Sequence, residues 1–186
     1  VGHFNYRLFN TLDGKENIFY SPYSILSALA LVDMGADGET KTELEAALGI
    51  EDIDTFKSGI KAYLDRPTAD GVELSAANGI WIEKSLKLSD GFETGFKADA
   101  GKYFKADVNT ADFKHKANKV KKEISSWVKD STNGFIADYE AVCDKNTIVD
   151  IINAIYFYGE WMLPFNASDT FESEFRGIKG DSNVKM

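Results

Sequence analysis

Between residues 17 and 49 the hydrophobic pattern changes character three times, and a turn or cap residue marks each change. Ile18, Phe19 and Tyr20 are β-branched or aromatic and predict a short strand. Pro22 then suits a first helical position, where its missing N–H is harmless. From residue 25 to 34 only Ser27 and Asp33 interrupt the apolar run, so this helix has almost no water-facing side and belongs in the interior. Gly35 and Gly38 break it. Thr40-x-x-Glu43 has the form of a capping box opening another helix, with Gly49 as its stop.

The same logic runs along the rest of the chain. Phe4, Leu8 and Leu12 recur at helical spacing, as do Phe56, Ile60, Tyr63 and Leu64, whose helix Pro67 closes. Val72, Leu74, Ala76, Ile80 and Ile82 alternate with polar residues and predict a long, half-buried strand. Ser89 is placed to cap a helix carrying Phe92 and Phe96, and residues 103–113 hold a less regular strand. Ala117, Val120, Ile124, Trp127 and Val128 form one helical stripe that ends at Ser131-Thr-Asn-Gly134. Residues 147–158 are apolar at both parities except at Asp150 and Asn153, the pattern of a strand covered on both faces. No repeat or linker divides the chain, so residues 1–186 read as belonging to one domain.

With 44% hydrophobic and 13% aromatic residues the chain can bury a substantial core. Its formal net charge of −9 argues against a chain-wide surface for nucleic acid or anionic membrane, so neither is expected as a partner. The longest apolar runs fall short of the roughly 20 residues of a membrane-spanning helix. Val1 is not followed by a basic-then-apolar leader, which implies a targeting segment removed or never present. Cys143 is the sole cysteine, excluding an internal disulfide and a thiolate metal cluster, and Asp144 beside it raises rather than lowers its pKa. His3 and His115 lack metal-ligand spacing, and no cofactor-binding motif occurs, so neither metal nor cofactor is expected. Asp33-x-x-x-Asp37-Gly38 lacks the intervening ligand of a calcium loop. Asp169, Glu172 and Glu174 offer carboxylates for acid–base work but sit on an alternating segment typical of a solvated face, so an enzyme is not expected.

The order and spacing of many residues resemble the serpin family. Ser21-Pro22-x-Ser24-Ile25 followed by Gly35-Ala36-x-Gly38-x-Thr40-x-x-Glu43 match its early signature, and Leu74, Ala77 and Asn78 match the strand beginning Leu-x-x-Ala-Asn. Trp127-Val128, Thr132, Gly134 and Ile136 follow in register, then Thr147, Asn153-Ala154, Tyr156-Phe157, Gly159 and Trp161, and finally Pro164-Phe165, Thr170 and Phe175. Asp150 departs from the pattern where an apolar or small residue is usual, and Phe135 and Tyr158 stand where lysine is common.

The resemblance implies a mixed α+β fold of three β-sheets and about nine helices when complete, of which this chain is the N-terminal half, truncated before the reactive loop. It implies a suicide inhibitor of a serine, or cysteine, endopeptidase, acting outside the cell by loop cleavage and insertion into the main sheet. The alternative is a noninhibitory serpin with a binding, carrier or chaperone role. By the same resemblance Ser21, Ser24 and Asn153 correspond to the shutter, where the sheet opens, and Trp161 and Thr170 to the breach at its top. Without it, the serines are helix caps, Asn153 satisfies a local backbone group and Trp161 is core. The unpaired edge of the strand at 147–158 is expected to need a partner, either the rest of the polypeptide or a second copy. Lys114, Lys116, Lys119, Lys121, Lys122 and Lys129 give residues 114–129 a formal charge of +5, which suits either a solvated face or a polyanion patch. Asn166-Ala-Ser168 is a glycosylation sequon.

Overall fold

Pro22 and the Ser21 hydroxyl start the central helix as anticipated: the Ser21 Oγ accepts from the Ser24 backbone N–H at 3.2 Å and Pro22 occupies the first turn. The computed structural model describes residues 2–12, 14 and 17–186. Four helices come first, α1 (Gly2–Phe9), α2 (Pro22–Gly35), α3 (Gly38–Leu48) and α4 (Ile53–Leu64). The long strand β1 (Val72–Glu83) follows, then a π-helical turn (Phe92–Lys97) running into α5 (Ala98–Phe104), β2 (Ala106–Ala111) and α6 (Phe113–Ser131). The chain closes with β3 (Val149–Gly159), a 3₁₀ turn (Ala167–Asp169), β4 (Glu172–Gly177) and β5 (Gly180–Lys185).

Among the described residues the strands form a three-stranded sheet in the order β2-β1-β3 and a separate β4-β5 hairpin. β1 pairs parallel to β2 and antiparallel to β3, with Asn78 opposite both Ala106 and Asn153. Alternation along β1 sends Ile80 and Ile82 to one face, where they pack with Leu26, Ala30 and Leu31 of α2. It sends Trp81 to the other, against Val120 and Ile124 of α6. The sheet is thus sandwiched between a hydrophobic helix and an amphipathic one, which is why the end of β1 is buried on both faces rather than half-buried as its alternation predicts.

Gly79 is required where the two indoles meet. Trp81 and Trp127 pack edge to face with centroids 5.3 Å apart, and a Cβ at Gly79 would lie 2.5 Å from two Trp81 ring carbons and 3.1 Å from Trp127. Gly79→Ala is expected to destabilise the protein by about 1–3 kcal/mol through overpacking. A denaturant midpoint equal to the wild-type value would show that Trp81 has room to move.

Several expected elements differ. Residues 18–20 form no strand: they have no ladder partner among the described residues, Phe19 is fully exposed, and the Tyr20 hydroxyl ties the segment to α1 by donating to Asn5 Oδ1 at 2.9 Å. α3 starts two residues before Thr40, because Gly38 adopts a positive φ and Asp37 Oδ1 accepts its N–H at 2.8 Å. Gly49 does end it, in the left-handed conformation. Ser89 caps nothing with its side chain; its backbone carbonyl accepts from Phe92 N, and Phe92 and Phe96 stack at 5.3 Å within the π turn. Tyr103 and Phe104 belong to α5, and a left-handed Lys105 separates them from β2. β3 is not covered on both faces throughout. It is an edge strand, and its end, with Phe157 and Tyr158, is exposed because nothing described packs over it.

Candidate functional site

The most enclosed polar group of the sheet is Asn78, fully buried at the centre of β1. Its side-chain N–H donates to the Phe104 carbonyl at the end of α5 (2.8 Å), and its Oδ1 accepts from Asn153 Nδ2 across the β1–β3 ladder (2.9 Å). One amide therefore joins a helix end and two strands, because an asparagine donates and accepts at once. The second half of the pair is incomplete. Asn153 Oδ1 is enclosed and has no partner among the described residues.

α2 lies under this face of the sheet and carries further buried polar atoms: among the described residues Ser24 Oγ has no hydrogen-bond partner, and the neighbouring Tyr23 hydroxyl and Ser27 Oγ make no bond of good geometry. Burial raises the Tyr23 pKa. Deeper along α2, Asp33 is buried with Lys41 Nζ 3.6 Å from its carboxylate, and burial pushes its pKa up against that lysine. A buried polar atom without a partner is costly, and such atoms are ordinarily satisfied by protein groups or ordered water.

Of the three residues expected at the sheet opening, Ser21 and Ser24 meet through the helix cap, whereas Asn153 bonds to Asn78 and to neither serine. Trp161 is not a core residue: it is exposed, with an edge-to-face contact to Phe165 at 6.0 Å between ring centroids. Thr170 is exposed at the end of the 3₁₀ turn. The α6 lysines are exposed except Lys121, which is half-buried. Asp169, Glu172 and Glu174 are exposed, as a solvated face requires.

On the opposite face of the sheet Asp150 lies across from Trp81, and burial raises its pKa. The nearby Cys143 thiol is buried; that burial, and then Asp150, push its pKa up, as expected of an inert thiol. Glu83, passed over in the sequence as a polar position of β1, is buried and caps α6: its carboxylate accepts from Phe113 N (2.8 Å), Lys114 N (3.3 Å) and Ser85 N (3.2 Å). Lys84 sits 2.7 Å from Asp112 and lowers the Asp112 pKa to about 2 against its partial burial, while Asp112 in turn caps His115 N. Among the described residues no three His, Cys, Asp or Glu side chains converge as a metal site, and no helix is long and apolar enough to cross a membrane.

The sequence profile of the family described as Serpin (serine protease inhibitor) matches residues 1–186. The chain belongs to the serpin family. Mouse leukocyte elastase inhibitor A is 36% identical over 192 residues, covering 98% of this chain and 49% of the mouse protein. The native stressed conformation of Arabidopsis AtSerpin1 superposes with a TM-score of 0.80 at 32% identity, covering 98% of this chain and 48% of that one. Reactive-loop-cleaved human thyroxine binding globulin gives 0.78 at 31% identity, over 98% of this chain and 55% of that one. The described helices and strands are therefore part of a serpin fold, and the chain spans about half the length of these relatives. Serpin relatives include a named elastase inhibitor and a named binding globulin.

Proposed function

We propose that residues 1–186 are the N-terminal half of a single serpin domain whose parent traps a serine, or cysteine, endopeptidase. On this proposal the peptidase nucleophile attacks the scissile carbonyl of a reactive loop and the peptide C–N bond breaks. The amine leaves with a proton, and the loop, held as an acyl-enzyme, inserts into the main sheet beside β3. The observation that supports it best is the partnerless Asn153 Oδ1 on a strand that is itself an edge. A sheet that opens and recloses must exchange the partners of buried polar groups, and asparagine and serine both donate and accept. Ser21, Ser24 and Asn153, joined by Asn78, are the proposed shutter, with Trp161 and Thr170 as the breach. The reactive loop belongs to the half that the relatives have beyond this one, so residues 1–186 alone inhibit nothing. An extracellular setting belongs to the same proposal, and the exposed Asn166 sequon is compatible with it.

Full-length parent incubated with a panel of serine and cysteine peptidases is expected to give an SDS-stable covalent complex with at least one. Complete loop digestion without any such product across the panel would remove the inhibitor proposal. The likeness to thyroxine binding globulin supports a second proposal, a noninhibitory carrier. The two differ in the hinge before the loop: small residues permit insertion, whereas proline or charged residues oppose burial.

Asn153→Asp tests the shutter assignment. An ionised carboxylate accepts but cannot donate, so the bond to Asn78 Oδ1 is lost and a charge is left in a poorly solvated place. Burial raises a carboxylate pKa, so the folded state binds its proton more tightly than the unfolded one; the destabilisation is absent at low pH and grows as pH rises above the ordinary aspartate range. The expected loss at pH 7 is about 1–3 kcal/mol. Unfolding and inhibition matching the wild type at both pH 4.5 and pH 7 would contradict the assignment.

A further inference from the structure

The face of the sheet that carries α6 is only partly covered by it. α6 packs over the end of β1 that bears Trp81, and its C-terminus reaches the middle of the face, where the Ser75 hydroxyl donates to the Ser131 carbonyl at 3.4 Å. Beyond that contact stand three aromatic residues, Phe135, Tyr156 and Tyr158. The Phe135 and Tyr156 ring centroids are 6.2 Å apart, and Tyr158 follows Tyr156 two residues along β3, hence on the same face. The register sets Glu73 directly opposite Tyr158, which makes their side chains neighbours, and the Tyr158 hydroxyl donates to Glu160 Oε1 at 2.6 Å. Glu160 foremost, and Glu73 to a lesser degree, raise the Tyr158 pKa.

Packing does not account for these side chains. Phe135 is 82% exposed despite its contact with Tyr156, and Tyr158 is 43% exposed. Both stand where lysine is common in the family, so this face presents aromatic rings in place of cations. Beside them Glu73 and Glu160 are exposed, and neither forms an ion pair among the described residues. A strand added along the edge of β3 bonds in the plane of the sheet and leaves this face open. Aromatic faces and carboxylates attract one kind of group in common, a cation. Arginine satisfies both together, because its planar guanidinium stacks on a ring while its N–H groups reach a carboxylate.

We propose that Phe135, Tyr156 and Tyr158, with Glu73 and Glu160, form a docking site for an arginine-bearing segment of a partner protein. The site does not depend on peptidase trapping. The full-length parent, titrated with the blocked peptide acetyl-Gly-Arg-Gly-Arg-amide at about 50 mM NaCl, is expected to bind it saturably, and more weakly as salt screens the carboxylates. The citrulline counterpart keeps the planar shape without the charge and is expected to bind at least about tenfold more weakly. In the parent, F135S/Y158S is expected to lose about tenfold in affinity for the arginine peptide, and E73Q/E160Q about three- to tenfold. E39Q/E43Q, which makes the same charge change at exposed positions of α3, is expected to keep it. All the substituted side chains except Tyr158 are largely free of contacts that hold the fold, and E73Q/E160Q tests the site without touching the rings. Absence of saturable binding, equal affinity for the arginine and citrulline peptides, or equal losses in E73Q/E160Q and E39Q/E43Q would each overturn the proposal.

Discussion

Asn78→Leu is expected to lower the melting temperature by about 4–15 °C, corresponding to a loss of about 2–5 kcal/mol in a protein of this size. Leucine fills the space but leaves two groups stranded, the Phe104 carbonyl and the Asn153 side-chain N–H, which at present are bonded to Asn78 at 2.8 and 2.9 Å. Each stranded buried group costs about 1–3 kcal/mol, more than an ordinary hydrogen bond contributes. The decisive comparison is the double variant N78L/N153L. Removing both amides leaves only the Phe104 carbonyl without a partner, so its cost should fall below the sum of the single variants, with a coupling of about 1–2 kcal/mol. Strict additivity, or a single variant that melts with the wild type, would mean that the pair bridges the strands without holding them.

That pair shows what the sequence can and cannot disclose. Asn153 was visible as a polar residue in an apolar strand and Asn78 as part of the Leu-x-x-Ala-Asn match in an alternating one, but their meeting depends on the β1–β3 register, which pairs residues 75 positions apart. Nothing local encodes it. Glu83 is the same lesson in reverse. It occupies a polar slot in an alternating strand and so reads as solvent-facing, yet it is buried as the cap of a helix that begins 30 residues later.

Local signals survived where their physics is local. The Ser21 cap, the left-handed Gly49 stop, the bounds of β1 and the apolar stripe of α6 all rest on neighbouring residues and appear as expected. Residues 18–20 fail for the opposite reason, since β propensity forms a strand only beside another strand. Thr40 fails by competition, because Asp37-Gly38 offers an earlier cap and a backbone able to turn. The serpin likeness was legible because its motifs fix turns, caps and close approaches at particular positions. The partnerless state of Asn153 Oδ1 and of Ser24 Oγ was not, because it is a property of the assembled packing.

The outer edge of β3 leads to the largest expected effect on residues 1–186 expressed alone. β3 pairs with β1 along its whole length and with no other strand among the described residues. One row of its backbone donors and acceptors therefore lacks a ladder, and Ile148, Val149 and Phe157 beside it are exposed. Apart from the half-buried Asp150, the strand lacks the usual protections: no proline, no lysine and no bulge interrupts residues 149–159. The β4-β5 hairpin offers no cover, since a two-stranded ribbon is marginal by itself and here exposes Phe171, Phe175 and Ile178. Residues 1–186 are therefore expected to be stable only with a strand supplied from outside, either by the remainder of the parent polypeptide or by a second copy paired edge to edge. At micromolar concentration, sedimentation should show dimers or larger species. A Lys substitution at Ile152 would also disturb the core under α6, so the informative variant is Phe157→Lys, at an exposed position near the strand end, which should shift the distribution toward monomer. A soluble wild-type monomer that unfolds cooperatively would contradict the expectation and show that β3 needs no partner.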